Sequence, residues 1–161
     1  MLTNDTVTDF AVVAYRDEGR WEVAPLPPHA TDDLASLILS LSHLPAETGA
    51  LALVSVADDF FLVVRVRGTS VRLLVSDATA ADEWPLARHA VDHLGVPLPD
   101  DDDDPQPAGD LAIVADLGMS DLELGVLCDD LDLYPDEVLG RVAARIGFGV
   151  QFEAAVDAVL R

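Results

Sequence analysis

No lysine occurs among the 161 residues, so every one of the nine basic side chains is an arginine. That absence removes Schiff-base chemistry and the lysine that commonly clamps a phosphate. Cysteine is nearly missing too. Cys128 stands alone, which excludes an intramolecular disulfide and any zinc site needing two thiolates, and fits a reducing cytosol. Long apolar runs are also lacking: stretches such as Leu51 to Val56 are too short to cross a bilayer. Met1 to Asp9 shows no basic start followed by an apolar core, so the expectation is a cytoplasmic protein that is neither exported nor membrane-spanning. The sequence contains no G-x-S-x-G, G-x-x-x-x-G-K or G-x-G-x-x-G, and no cofactor is expected.

What is abundant is acid. Thirty aspartates and glutamates against nine arginines give a formal net charge of −21. Such a body repels phosphate backbones and anionic lipid alike, so direct binding of nucleic acid or membrane is disfavoured. Half the residues are hydrophobic, enough to fold the chain despite its charge. The arginine-only basicity, with abundant Ala, Val, Asp and Leu, matches a GC-rich coding bias. The acidity itself fits either solubility and salt adaptation or a cationic partner.

The pattern of elements predicts an α+β fold. Phe10 to Tyr15 is β-prone, Asp17-Glu18-Gly19 turns the chain, and Trp21 to Val23 returns as a hairpin that Pro25, Pro27 and Pro28 terminate. Thr31 is placed to cap a helix whose apolar stripe is Leu34, Leu37, Ile38, Leu41 and Leu44, with Pro45 as its stop. Three β-rich runs follow, Leu51 to Val56, Phe60 to Arg67 and Val71 to Ser76, whose short connections require antiparallel pairing. Asp77 then caps a helical stretch through Trp84-Pro85 to Leu94, with Gly95 at its C-terminal cap. The order β-β-α-β-β-β-α, with a five-stranded antiparallel sheet and two helices, is that of profilin-like and roadblock-like adaptor domains.

Residues 8–96 are thus read as the α+β domain and 97–109 as an acidic Pro/Asp linker built around Asp100 to Asp104. An extended linker spans about 3.1 Å per residue and could hold two folded parts apart. Residues 110–161 read as a small helical region. It has a short turn-rich helix over Leu111 to Leu117 and a Ser120/Glu123 capping box opening a helix through Cys128. Pro135 begins a helix with the stripe Val138, Leu139, Val142 and Ile146, and a last helix covers Val150 to Leu160.

Three constellations merit chemical scrutiny. His89 and His93, at i and i+4, share a helical face, yet Ala90-Val91-Asp92 between them supplies no glutamate of an H-E-x-x-H site and no third ligand follows. The aspartate run lacks the alternating ligands, glycine and terminal glutamate of a calcium loop, and reads as a solvated spacer. Cys128, in Val126-Leu127-Cys128, reads as a buried thiol. Against the prevailing charge, Arg65, Arg67 and Arg72 gather on adjacent strands. A two-residue Gly68-Thr69 loop sets Arg65 directly opposite Arg72, on the same face as Arg67. Either acids such as Glu22 or those of a covering helix neutralise them, or they form a docking site for a carboxylate or phosphate.

Phe60-Phe61-Leu62-Val63-Val64-Arg65-Val66, Val71 through Ala78, the aspartate-rich spacer, Leu117-Gly118-Met119, Leu131 through Glu137 and Gly147-Phe148 together resemble the actinobacterial tRNA adenosine deaminase-associated protein family. The resemblance runs from Phe10 to the C-terminus and is most specific over Arg65 to Asp77 and Tyr134 to Glu137. It implies an association with the enzyme that converts the wobble adenosine of tRNA to inosine, and it supplies no catalytic residues. The chain is not that deaminase, whose zinc class requires H-x-E and P-C-x-x-C. Arg65, Arg67, Arg72, Asp77, Tyr134, Asp136 and Glu137 are therefore candidate interaction residues. Three readings follow: a non-catalytic accessory protein contacting the deaminase, an adaptor or homodimer using a sheet edge or apolar helix face, and a small metal-dependent hydrolase.

Overall fold

The computed structural model describes residues 8–44, 48–100 and 104–160. Pro45, Asp101 to Asp103 and most of the Met1 to Asp9 segment therefore lie outside the described residues. Strands β1 (Thr8–Asp17) and β2 (Arg20–Pro25) form the first hairpin. Its two-residue loop places Glu18 and Gly19 at positive φ, the geometry whose twist suits a tight antiparallel pair. Helix α1 (Leu34–Ser42) follows, then β3 (Ala50–Val56), β4 (Phe60–Arg67) and β5 (Ser70–Val75), and helix α2 (Pro85–Leu94). The expected element order thus holds through α2.

The sheet nevertheless has six strands, not five, in the order β2-β1-β3-β4-β5-β6, all antiparallel. The sixth, β6 (Ala108–Gly109), is made from the end of the segment read as a linker and pairs Leu74 with Gly109 and Val75 with Ala108. The backbone bond from Asp110 N–H to the Leu73 carbonyl, 3.0 Å, continues that edge. Two residues are too few to display the alternation that reveals a strand in sequence.

Local capping also differs from expectation in detail. Residues Pro28–Thr31 form a 3-10 turn, and Asp33, not Thr31, caps α1 by accepting from Ser36 N–H at 2.7 Å. Asp77 caps a short 3-10 helix, Ala78–Asp82, and α2 starts separately at Pro85, whose missing N–H costs nothing in a first turn. Residues 111–117 hold a 3-10 turn only at Ala115–Leu117. Beyond it run α3 (Asp121–Asp129), α4 (Pro135–Ile146) and α5 (Gly149–Leu160).

Side chains of the central strands alternate between two dry layers. Ala52, Val54, Phe60, Leu62 and Val64 face α1 and α2, while Leu51, Leu53, Phe61, Val63 and Leu74 face the C-terminal helices. Every residue of β3 is buried, as a strand covered on both faces must be. The second layer is closed by Leu139, Val142, Phe148 and Phe152, with Phe152 edge-on to Phe10 at 5.7 Å between centroids and Phe148 against Trp21 at 4.8 Å. The C-terminal helices therefore sit on the sheet.

Candidate functional site

The arginines come first because their placement follows from the β4–β5 hairpin. Its register pairs Arg67 with Ser70 and sets Arg65 directly opposite Arg72, both on the face turned toward the C-terminal helices. Two guanidinium groups side by side require acid, and the chain leading out of β6 brings it. Arg65, only 3 % exposed, donates to both carboxylate oxygens of Asp116 at 2.6 and 2.9 Å. It also donates to the Ile113 carbonyl at 2.8 Å and, from two nitrogens, to the Thr48 carbonyl at 3.1 and 2.7 Å. Arg72 donates to Asp110 at 2.6 Å and to the Ala112 carbonyl at 2.8 Å. Both guanidinium groups fix residues 110–116 to the sheet, and Arg65, with all five donors met, offers no free donor surface to a ligand. Arg65 in turn holds the Asp116 carboxyl below the usual carboxylate range, chiefly by hydrogen bonding. Arg67 alone of the three is exposed, and it makes no salt bridge among the described residues.

The remaining candidates lie elsewhere. Asp77 accepts from the N–H and hydroxyl of Thr79 at 2.9 and 2.6 Å and from Gln106 N–H at 3.3 Å, which fastens the segment before β6 to the end of β5. Tyr134 immediately precedes α4, where its N–H donates to the Glu137 carboxylate at 3.0 Å and its ring is exposed. Asp136 and Glu137 open the first turn of α4, the helix end that favours negative charge.

The structure brings Asp77 and Tyr134 together in one groove, away from Arg65 and Arg72. Its walls are the β3–β4 turn, the start of the Asp77 turn and the connection between α3 and α4, and it encloses about 240 Å3. Asp58, Asp59 and Asp130 also line it, as does Cys128. Asp58 sits at positive φ and donates its N–H to Asp9 at 2.8 Å. Repulsion from the Asp9 carboxylate, joined by partial burial and by Asp136, raises the Asp58 carboxyl above its ordinary value. Asp59 accepts from the Trp84 indole at 2.7 Å. Burial pushes the Cys128 thiol up to about 11, the reverse of what activates a nucleophile. Sequence reasoning missed Asp58, Asp59 and Asp130 because each looks like ordinary turn chemistry. Only the fold sets a β-turn beside a helix connection some seventy residues downstream.

The histidines occupy α2, with His89 half-buried and His93 exposed. Among the described residues, no three or more His, Cys, Asp and Glu side chains gather as a metal site would require. No helix of the described residues is long and apolar enough to cross a membrane. A second cleft of about 190 Å3, lined by Phe10, Leu26, Trp84 and Val159, is largely apolar.

Comparison with known proteins places the chain in a family. It is 40% identical over 156 residues to "Protein Rv3753c" of Mycobacterium tuberculosis (strain ATCC 25618 / H37Rv), an alignment covering 95% of this chain and 90% of that protein. No solved structure gives a significant match. Residues 9–149 match the family described as Rv3753c-like tRNA adenosine deaminase-associated protein. That match takes in every strand of the sheet nearly whole, both faces of its core and the groove, and the chain belongs to the Rv3753c-like tRNA adenosine deaminase-associated protein family.

Proposed function

We propose that this protein is a non-catalytic, acidic accessory protein that binds tRNA adenosine deaminase by direct protein contact. The observation that carries the reading is the net charge of −21, in a chain whose family is named for its association with that enzyme. An enzyme acting on tRNA must present cationic surface to phosphates, and that surface attracts a strongly anionic protein as well. Charge complementarity of this kind speeds encounter and selects the partner. Two features of the site support a binding role over a reaction: the most buried arginine is fully spent on structure, and the lone thiol is held protonated. On this reading the protein works in the cytoplasm, alongside the enzyme.

The test is retention of purified deaminase on immobilised protein, without tRNA, at about 0.1 M salt, where screening acts over about 10 Å. We expect retention that weakens steeply as salt is raised, and displacement by excess tRNA if the two compete for one cationic face. Failure to retain the enzyme at low salt would end this reading.

A second reading, self-association as an adaptor-like homodimer, is favoured by Leu122 and Val126 on successive turns of α3, which are 79 % and 69 % exposed. Light scattering giving the monomer mass at high protein concentration would dispose of it.

A further inference from the structure

Among the described residues, Arg65 pairs with Asp116, Arg72 with Asp110 and Arg145 with Glu123. None of these pairs lies in the groove between the β3–β4 turn and the α3–α4 connection. Asp58, Asp59, Asp77 and Asp130 all line it, no arginine does, and none of the four is in a salt bridge among the described residues. Beside these acids stand Leu131, 72 % exposed, and Tyr134, 60 % exposed. Exposed apolar side chains grouped at a concave, charged rim are the usual makings of a protein interface, and Tyr is among the residue types that dominate binding energy.

The occupant can be narrowed by size and by charge. A space of about 240 Å3 falls short of the roughly 300–1,000 Å3 of small-molecule sites, so it suits one or two long side chains better than a whole cofactor. Carboxylates spaced along the groove repel acids and phosphates, while a guanidinium or ammonium group on an amphipathic stem satisfies both an acid and the apolar rim. We propose that this groove is the docking site for a cationic segment of the partner protein, in which an arginine or lysine is flanked by an apolar residue. The inference rests on the accessory-protein reading above and specifies where the contact is made.

The experiment is titration of purified tRNA adenosine deaminase against four versions of the full chain, with thermal melts confirming that each is folded. These are the natural protein, Asp58→Asn/Asp130→Asn, Leu131→Ser/Tyr134→Ser, and the control Asp17→Asn/Asp92→Asn, which removes the same number of charges at exposed positions away from the groove. Asparagine is chosen at 58 because it tolerates positive φ. We expect each groove variant to raise Kd about tenfold or more and the control to change it less than about twofold. As a second readout, carbodiimide coupling joins carboxylates to amines, and a chain without lysine presents essentially only the carboxylate side. Cross-links to the enzyme's lysines are expected at Asp58, Asp59 or Asp130. Equal weakening in groove and control variants would mean that bulk charge alone drives association and would overturn the groove. Unchanged affinity in both groove variants would overturn it as well, leaving the accessory role standing. No binding by the natural protein would remove the accessory reading and the groove with it.

Discussion

The most demanding residue in this protein is Arg65. A guanidinium group buried to 3 % exposure is tolerated only if its donors are met, and here a carboxylate and two carbonyls meet them. Removing Asp116 leaves the cation with carbonyl partners alone, so Asp116→Ala should lower stability by about 2–3 kcal/mol at pH 7, read from urea unfolding. The pH dependence follows from the direction of the Asp116 shift. Its folded carboxyl lies below its unfolded value of about 3.9, so the pair's contribution is complete above that value and lost as pH falls through the folded one. The gap between natural protein and variant should therefore be full at pH 6 to 7 and shrink below about pH 4; a gap undiminished at pH 3 would contradict the assignment. Cys128 supplies another single-residue prediction. With its thiol raised to about 11, alkylation at pH 8 should be slow in the folded protein and should accelerate sharply in denaturant. The facing of Arg65 and Arg72 was legible in the Gly68-Thr69 turn, because a two-residue loop fixes register. Their acids were not, since Asp110 and Asp116 lie 38 and 51 residues away in sequence, and only tertiary packing brings them in.

Among the elements, helices α3 to α5 were the easiest to read and β6 the hardest. The Ser120/Glu123 capping box, Pro135 at the start of α4 and the Val138, Leu139, Val142, Ile146 stripe all stand in the structure as their chemistry requires. Strand β6 depends instead on one backbone conformation. Gly109 sits at φ +113, and a Cβ there would run into the Leu73 carbonyl, a backbone atom that cannot swing aside. Gly109→Ala should cost about 1–3 kcal/mol through strained φ and loss of the β5–β6 pairing. Hydrogen exchange should show faster exchange at Asp110 N–H, whose bond to Leu73 extends this edge, with β1 and β3 amides unaffected. If the variant melts like the natural protein, the close approach is not structurally required.

For the molecule as a whole, the question is whether the sheet stands without its C-terminal helices. The hydrophobic runs of β3 and β4 contain the answer: a strand with one solvated face alternates, whereas these are apolar nearly throughout. That continuity was the sequence signal that a second layer would cover the sheet. Residues 97–109 carry no such signal, because prolines and aspartates say nothing about where the following helices dock. A fragment ending at Gly109 would expose Phe10, Leu53, Phe61, Val63 and Leu74 to water and strip Arg65 and Arg72 of both acids. Each such apolar side chain loses about 1.5–3 kcal/mol on exposure, so five of them exceed much of the roughly 5–15 kcal/mol that stabilises a domain. We therefore expect residues 1–109 to be aggregation-prone, to bind a hydrophobic dye and to show no cooperative melt, while the full chain unfolds in one transition. A soluble monomeric fragment with a sharp melt would instead make the sheet and its first two helices an autonomous domain. The groove would then lie across a boundary between two units instead of within one rigid body, and its affinity for a cationic segment would depend on how firmly the Arg65 and Arg72 pairs hold the units together.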